Sequence, residues 1–218
     1  MKLLIDQPGR NGDILICLPI AKWYSKEYEV DWLCPQEYHL NFRGVGYCRP
    51  VVEICEDYDK VIDLSFGVRQ GTKLHDWWVS TQHQWQSFII PKYKLAGVPL
   101  IERWNLVWNR NIIKENRLYD KIVDKYGSDY AVVHESTHDV KTCIQVNRKV
   151  LFSPIEDFSI FDWYKVLVNA REIYCIDSLL CNFVDVIPEL LEMPKFCYKT
   201  SRPTDIWGSI LINNWIRK

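Results

Sequence analysis

Residues 2–34 read KLLIDQPGRNGDILICLPIAKWYSKEYEVDWLC, and the order of apolar and turn residues in them predicts the fold class. Its first apolar run ends at Pro8-Gly9, which predicts a buried strand followed by a turn. Apolar residues at helical spacing follow over 12–27, and we expect the helix proper to begin near Pro19. The segment EVDWLC then alternates like a second strand. This order predicts a parallel sheet with helices on its faces.

The same alternation continues along the rest of the chain. Further strands are predicted at 51–55, 60–64, 130–134, 142–146, 149–152, 172–176 and 195–198, and helices at 36–42, 73–97, 114–126, 159–170, 178–187 and 204–218. The pattern stops and restarts between residues 110 and 128. It therefore predicts the α/β class, with two compact Rossmann-like parallel-sheet domains.

Composition and charge exclude several classes of protein. Lys+Arg is 27 and Asp+Glu is 28, so the net charge of -1 lacks the basic excess of a nucleic-acid binder. No apolar run approaches the roughly 18 residues of a membrane span, which leaves at most a peripheral membrane contact. Asp6 comes too early for a secretory signal, so we expect a cytoplasmic protein. The 8 cysteines form no C-x-x-C pair, and we expect buried free thiols.

Tryptophan is unusually frequent, with 10 residues in the chain and a cluster between Trp77 and Trp108. Side chains of this size are seldom left exposed without a reason. Core packing, an apolar wall that stacks on a sugar, and a homodimer interface all fit this cluster. The sequence leaves the three explanations open.

The loop after the first strand is the first candidate site, because ligands of open α/β sheets bind beyond the carboxyl ends of the strands. Gly9 and Gly12 let the backbone approach a ligand closely. Arg10 adds a positive charge, and Asp13 adds a carboxylate able to take a proton. The structural alternative is that Asp13 caps the helix and the glycines make a turn.

Asp177 and Ser178 form the second candidate site, after strand 172–176 and at the start of a helix. A hydroxyl and free helix amides at such a position can hold a diphosphate. The structural alternative is a plain helix cap by Asp177.

The third candidate is His134-Glu-Ser-Thr-His138, which matches the zinc-protease pattern H-E-x-x-H. That chemistry needs both histidines on one face of a helix, and Glu156 is the third ligand on offer. The flanking residues favour strands instead. A strand-end loop in which His134, Ser136 or Lys141 contacts a phosphate or sugar is the favoured interpretation.

Three stretches resemble the heptosyltransferase-type glycosyltransferases, the family of the ADP-heptose:lipopolysaccharide heptosyltransferases. GRNGDILICLPIAKWYSKEYEVDWLCPQEY resembles the start of that family, and Gly12, Asp13 and Pro19 match its spacing. NAREIYCIDSLLCNFVDVI resembles its donor-site segment, where Asp177 and Ser178 match. The strand YAVVH is similar to the first strand of the family's second domain.

The resemblance implies a GT-B architecture with two Rossmann-like domains facing a cleft. It implies an acceptor-side domain over 1–115, a nucleotide-sugar-side domain over 116–203, and a helix over 204–218 packing back on the first domain. The activity implied is transfer of a sugar from a nucleotide sugar to the hydroxyl of a glycan or other acceptor, with inversion and with no metal or other cofactor. Asp13 would be the general base. The residues expected to bind substrate or donor are Gly9, Arg10, Asn11, Gly12, His134, Ser136, Lys141, Ser153, Asp177, Ser178 and Asn182.

The chain departs from the family's donor segment at two positions. Leu179 stands where the family has glycine, and Asn182 stands where it has histidine. These departures motivate an alternative, a non-catalytic module that binds a nucleotide sugar or a glycan with the same fold. A zinc hydrolase acting through His134 and His138 is the lesser alternative.

Overall fold

A computed structural model describes residues 1–66, 69–81, 89–137, 140–153, 155–198 and 214–218. The chain divides into two units, Met1–Asn109 and Arg110–Lys218. In the part of the chain just given, no helix is both long and apolar enough to cross a membrane.

Unit 1 is built on a four-stranded parallel sheet in the order β3-β2-β1-β4. Its strands are β1 (Lys2–Asp6), β2 (Glu29–Leu33), β3 (Arg49–Val51) and β4 (Lys60–Asp63). Its α-helices are α1 (Asn11–Tyr24), α2 (Lys73–Thr81) and α3 (Ile89–Ala96), and short 3-10 helices cover Gln36–Phe42 and Leu100–Trp104.

Helix α1 is the centre of the core of unit 1. Every residue from Ile14 to Ala21 is buried, and the helix contacts α3 and both 3-10 helices. The expected helix start near Pro19 is wrong, because α1 begins at Asn11 and runs through the proline. Pro19 costs the helix one hydrogen bond, on the order of 3 kcal/mol. Burial of the apolar residues before it, at about 1.5–3 kcal/mol each, outweighs that cost.

Strand β3 lies earlier than the predicted strand over 51–55. It pairs through Pro50 opposite Trp32, at an edge of the sheet. Proline cannot donate a ladder hydrogen bond, but an edge strand leaves one side of its backbone unpaired and tolerates it.

Unit 2 is built on a five-stranded parallel sheet in the order β6-β5-β7-β8-β9. Its strands are β5 (Ala131–His134), β6 (Lys149–Leu151), β7 (Glu172–Ile176), β8 (Lys195–Tyr198) and β9 (Trp215–Arg217). Its α-helices are α4 (Ile112–Tyr126), α5 (Tyr164–Val168) and α6 (Leu179–Val184), and 3-10 helices cover Ile160–Trp163 and Pro188–Leu190. The predicted fold class, with two Rossmann-like parallel sheets, is confirmed.

Two predicted elements of unit 2 are corrected. Residues 142–146 form no strand, because the backbone of Thr142 turns back to the carbonyl of Glu135. The helix expected over 204–218 lies largely outside the described residues, and its end is instead strand β9, where Trp215 pairs with Lys195. The indole N–H of Trp215 donates to the carboxylate of Asp185 at 3.1 Å, which anchors this strand to unit 2.

The cysteines and tryptophans mostly serve packing. All eight cysteines are free thiols and five of them are buried, as expected for most of them from the apolar runs around them. Trp78 is buried against Phe66, with ring centroids 5.1 Å apart. This contact supports core packing for part of the tryptophan cluster.

Candidate functional site

The loop between β1 and α1 forms the candidate site of unit 1. Gly9 has φ +141°, and a β-carbon added there would lie 2.6 Å from Cε2 of Tyr38. Arg10 and Asn11 are exposed, while Gly12 and Asp13 are half-buried. The loop therefore presents its polar side chains beyond the carboxyl end of β1, where the sequence predicts a ligand.

Asp13 lies in the first turn of α1. Its carboxylate accepts the backbone N–H of Arg10 at 3.4 Å, the contact expected of a residue that supports a helix start. The structural alternative raised for Asp13 is thus present. At 3.4 Å this hydrogen bond is long.

Sequence reasoning missed the segment that follows β2. The side-chain amide of Asn41 donates to Oδ1 of Asn11 at 2.8 Å, and the ring of Tyr38 faces Gly9. Burial, followed by the nearby Glu37 carboxylate, raises the pKa of Tyr38, so its phenol keeps its proton at neutral pH. Strand β2 pairs with β1, so its carboxyl end meets the same edge of the sheet. A sequence interpretation that paired β2 with β1 would therefore have added Tyr38 and Asn41 to the candidate site.

Buried polar groups also lie at the carboxyl ends of β1 and β4. Asp6 forms an ion pair with Arg69. Burial raises the pKa of Asp6 and the Arg69 charge opposes that rise. The side-chain amide of Gln7 and the hydroxyl of Ser65 are buried without a hydrogen-bond partner. No motif in the sequence marks these residues as part of a site.

In unit 2 the structure joins two candidate residues that are 44 residues apart in sequence. His134 is the last residue of β5, and β5 pairs with β7 in a register that sets His134 beside Cys175. Ser178 follows β7 and precedes α6. Nδ1 of His134 lies 2.6 Å from Oγ of Ser178, a hydrogen bond between the ends of neighbouring strands.

The loop after His134 folds back on itself. Ser136 and Lys141 pair in an antiparallel bridge, and both side chains are exposed. Burial of Glu135 works to raise its pKa, but hydrogen bonds from Lys149 at 2.5 Å and from the N–H of Ile144 at 3.1 Å outweigh burial and lower it. An ionised Glu135 therefore anchors the loop and leaves Ser136 and Lys141 facing solvent.

The remaining predicted residues of unit 2 differ in their surroundings. Ser153 is exposed beyond β6, which is the neighbour of β5. Asp177 is half-buried directly before Ser178. Asn182 is buried, and its side-chain amide donates to the carbonyl of Ser178 at 2.9 Å. Asn182 therefore holds the backbone of Ser178 in place.

The helix that a zinc protease needs is not present at His134. Residues Ala131–His134 form strand β5, so His134 does not lie on the helix that the zinc-protease pattern needs. His138 lies outside the described residues, and Glu156 is exposed in a turn. Across the residues that the structure does describe, no group of three or more His, Cys, Asp or Glu side chains is arranged to hold a metal ion.

Two cavities of unit 1 lie away from these residues. One of about 470 Å³ is lined by residues that include Tyr24, Lys60 and Ala96, and one of about 610 Å³ is lined by residues that include Asp31 and Arg49. In the larger cavity, Arg49 forms ion pairs with Asp31 and Glu56. Neither cavity contains a residue that the sequence assigns to a site.

Comparison with known proteins gives matches at the level of structure. No protein-family model matches the sequence, and no curated protein matches it. The solved structure of a glycosyl transferase family 9 protein from Veillonella parvula DSM 2008 matches with a TM-score of 0.65 at 10% identity, covering 100% of this chain and 86% of that chain.

Two E. coli enzymes match with lower scores. ADP-heptose LPS heptosyltransferase II has a TM-score of 0.49 at 9% identity, covering 100% of this chain and 90% of that chain. Heptosyltransferase WaaC with ADP-2-deoxy-2-fluoro heptose has a TM-score of 0.47 at 11% identity, covering 100% of this chain and 93% of that chain. The fold assignment rests on the Veillonella structure. In fold, this chain is similar to a family 9 glycosyltransferase, as the resemblance in its sequence implied.

Proposed function

We propose that this chain is a glycosyltransferase that moves a sugar from a nucleotide-sugar donor to an acceptor hydroxyl, with inversion and without a metal. One observation carries the proposal. Each parallel sheet has its predicted polar residues at its carboxyl edge, with Asp13 in unit 1 and the hydrogen-bonded His134 and Ser178 in unit 2. The similarity in fold to a family 9 glycosyltransferase supports it.

In the proposed reaction, the acceptor oxygen attacks the anomeric carbon from the face opposite the diphosphate. The new carbon–oxygen bond forms while the bond from that carbon to the diphosphate oxygen breaks. The electron pair leaves with the nucleoside diphosphate, and the carboxylate of Asp13 takes the hydroxyl proton. Attack from the opposite face inverts the configuration of the sugar.

Charge on the leaving diphosphate has to be offset by the protein. Helix α6 has only six residues, so side chains have to supply most of that stabilisation. Lys141 and Arg10 supply exposed positive charges, while Ser136, Ser153 and Ser178 supply hydroxyl groups. The acceptor is a glycan or another hydroxyl compound.

The second candidate function is a non-catalytic module that binds a nucleotide sugar or a glycan. The orientation of Asn182 favours it, because its amide is committed to the backbone of Ser178. The amide hydrogen engaged in this contact cannot be donated to a ligand at the same time. This module would bind a nucleotide sugar or a glycan and form no product.

Binding and turnover together test the proposal. Thermal unfolding is followed with ADP, GDP, UDP and CDP and with their sugar conjugates, each with and without a chelator. At ~100 times Kd, a ligand that binds only the native state stabilises it by about 2.7 kcal/mol. We expect one nucleotide family to raise Tm equally with and without chelator, and its sugar conjugate to release nucleoside diphosphate. Binding without product favours a module that binds a nucleotide sugar. A Tm indifferent to every nucleotide contradicts the transferase and leaves a module that binds a glycan.

A further inference from the structure

The imidazole of His134 is held in a fixed position at the end of β5. On one side its Nδ1 lies 2.6 Å from Oγ of Ser178. The ring of Phe152 stands edge-on to it with centroids 5.0 Å apart, and Phe152 in turn contacts Trp163 at 4.8 Å. Trp163 is fully buried in the core of unit 2. The packing therefore fixes the direction in which Nδ1 points.

Ser178 is fixed as firmly as its partner. Its carbonyl accepts both the backbone N–H of Asn182 at 3.2 Å and the side-chain amide of Asn182 at 2.9 Å. The residue is only 8% exposed. The His134 ring and the Ser178 backbone are both held in place. What can still vary at this contact is which of Nδ1 and Oγ carries the hydrogen of their hydrogen bond.

The placement of one proton decides what Ser178 can offer a ligand. A hydroxyl has one hydrogen to donate and two lone pairs that accept. If Nδ1 of His134 carries no hydrogen, Ser178 donates to it and offers a phosphate oxygen only lone pairs. If Nδ1 carries a hydrogen, the ring donates that hydrogen to Oγ. The Ser178 hydroxyl can then donate its own hydrogen in a hydrogen bond to the ligand.

We propose that His134 is a positioning residue for the diphosphate group of a nucleotide ligand, in which Nδ1–H donates to Oγ of Ser178 and directs the Ser178 hydroxyl to a phosphate oxygen. This inference rests on the proposed function, since it concerns the same donor site.

Substitutions that keep or remove the donated hydrogen test the proposal. The probe is whichever of ADP, GDP, UDP and CDP binds the wild-type chain most tightly in calorimetry. His134→Phe keeps a ring but loses the donor, and we expect Kd to rise about tenfold or more, on the scale of one hydrogen bond to a charged group. His134→Asn places an amide N–H where Nδ1–H was, and we expect Kd within about threefold of wild type.

A double-mutant cycle separates this role from a general structural one. Ser178→Ala alone is expected to weaken binding as much as His134→Phe alone. The double variant should then be no weaker than Ser178→Ala, because His134 acts through the hydroxyl that is already gone. Additive losses, or a loss in His134→Asn as large as in His134→Phe, overturn the inference while the proposed function stands. Absence of binding to the wild-type chain overturns both.

A spectroscopic measurement observes the proton itself. The ring nitrogens of the 5 histidines are labelled with ¹⁵N, and the resonances of His134 are assigned by their loss in His134→Asn. With the bound nucleoside diphosphate we expect the shift of a protonated Nδ1. An Nδ1 without hydrogen in the complex contradicts the proposal.

Discussion

The ring of Tyr38 occupies the space into which any side chain at position 9 would extend. A β-carbon on Gly9 would lie 2.6 Å from Cε2 and 2.9 Å from Cζ of that ring. The backbone of Gly9 also has φ +141°, where residues with side chains are strained. The first loop of unit 1 and the segment after β2 therefore fit together only because residue 9 is glycine.

Replacing Gly9 with alanine should destabilise the chain by about 1–3 kcal/mol, from backbone strain and the clash together. Gly71→Ala is the control, because Gly71 has φ +76° but nothing within 4 Å of an added β-carbon. Urea unfolding of both variants gives the two losses. Equal losses of unfolding free energy in the two variants would show that the Tyr38 ring moves aside without a measurable penalty. Recovery of stability in Gly9→Ala/Tyr38→Ala would confirm the clash.

Asp13→Asn should lower the rate of sugar transfer by at least ~100-fold, the usual scale for loss of a general base. The amide keeps a carbonyl oxygen that can accept the N–H of Arg10, so the start of α1 should survive. The measurement is kcat for transfer beside Kd for the nucleotide, which we expect to be nearly unchanged. Asp57→Asn, at an exposed aspartate of the same unit, is the matched control. Equal turnover in wild type and Asp13→Asn removes Asp13 from the mechanism.

Lys141→Ala should raise Kd for the nucleotide diphosphate about tenfold, since one contact from a cation to a phosphate is lost. The salt dependence of binding should also become shallower, because one fewer opposite charge is screened. Titrations at several salt concentrations measure both effects. Lys125→Ala, an exposed lysine of α4, serves as control. If Kd rises equally in Lys141→Ala and Lys125→Ala, nucleotide binding depends on the net charge of the chain and not on a contact from Lys141.

Because the Cys17 thiol is buried, we expect the free energy of unfolding to fall at alkaline pH. Burial raises the pKa of its thiol to about 12, from an ordinary value of 9.0. Between these values the unfolded chain has released the proton and the folded chain has kept it, so stability falls as pH rises.

The matching variants isolate that thiol. Relative to Cys17→Ala, the wild-type free energy of unfolding should fall by up to about 1.4 kcal/mol more per pH unit above pH 9. The measurement is urea unfolding at pH 8, 9 and 10 under reducing conditions. Cys143→Ala removes an exposed thiol and should keep the wild-type slope. A slope shared by all three chains would mean that Cys17 ionises freely in the folded state.

The strands were predictable where a buried run stands between clear turn signals. KLLID and EIYCI are both strands with the expected limits, within one residue. Prediction failed where a tertiary contact overrode a local signal. Pro19 marks a helix start locally, but burial along α1 carries the helix through it. The β-branched run after Lys141 favours a strand, but no neighbouring strand is placed to pair with it among the described residues.

The positions of the candidate residues at the ends of strands could be predicted from the sequence, but their contacts could not. The carboxyl-edge rule identified Asp13, His134 and Ser178 from loops that follow predicted strands. It did not bring His134 to Ser178, because a linear pattern does not state that β5 pairs with β7. For the same reason it omitted Tyr38 and Asn41, which contact the first loop through the pairing of β1 with β2.

The hydrogen bond between His134 and Ser178 has a consequence for the order of folding. It closes a separation of 44 residues, and it forms only after β7 has docked in parallel beside β5. Such long-range parallel pairing is slow compared with helix formation, which needs only local contacts. During refolding, the helical signal in circular dichroism should thus recover before the chain can capture a nucleotide. The time at which nucleotide binding appears therefore measures when the sheet of unit 2 is complete.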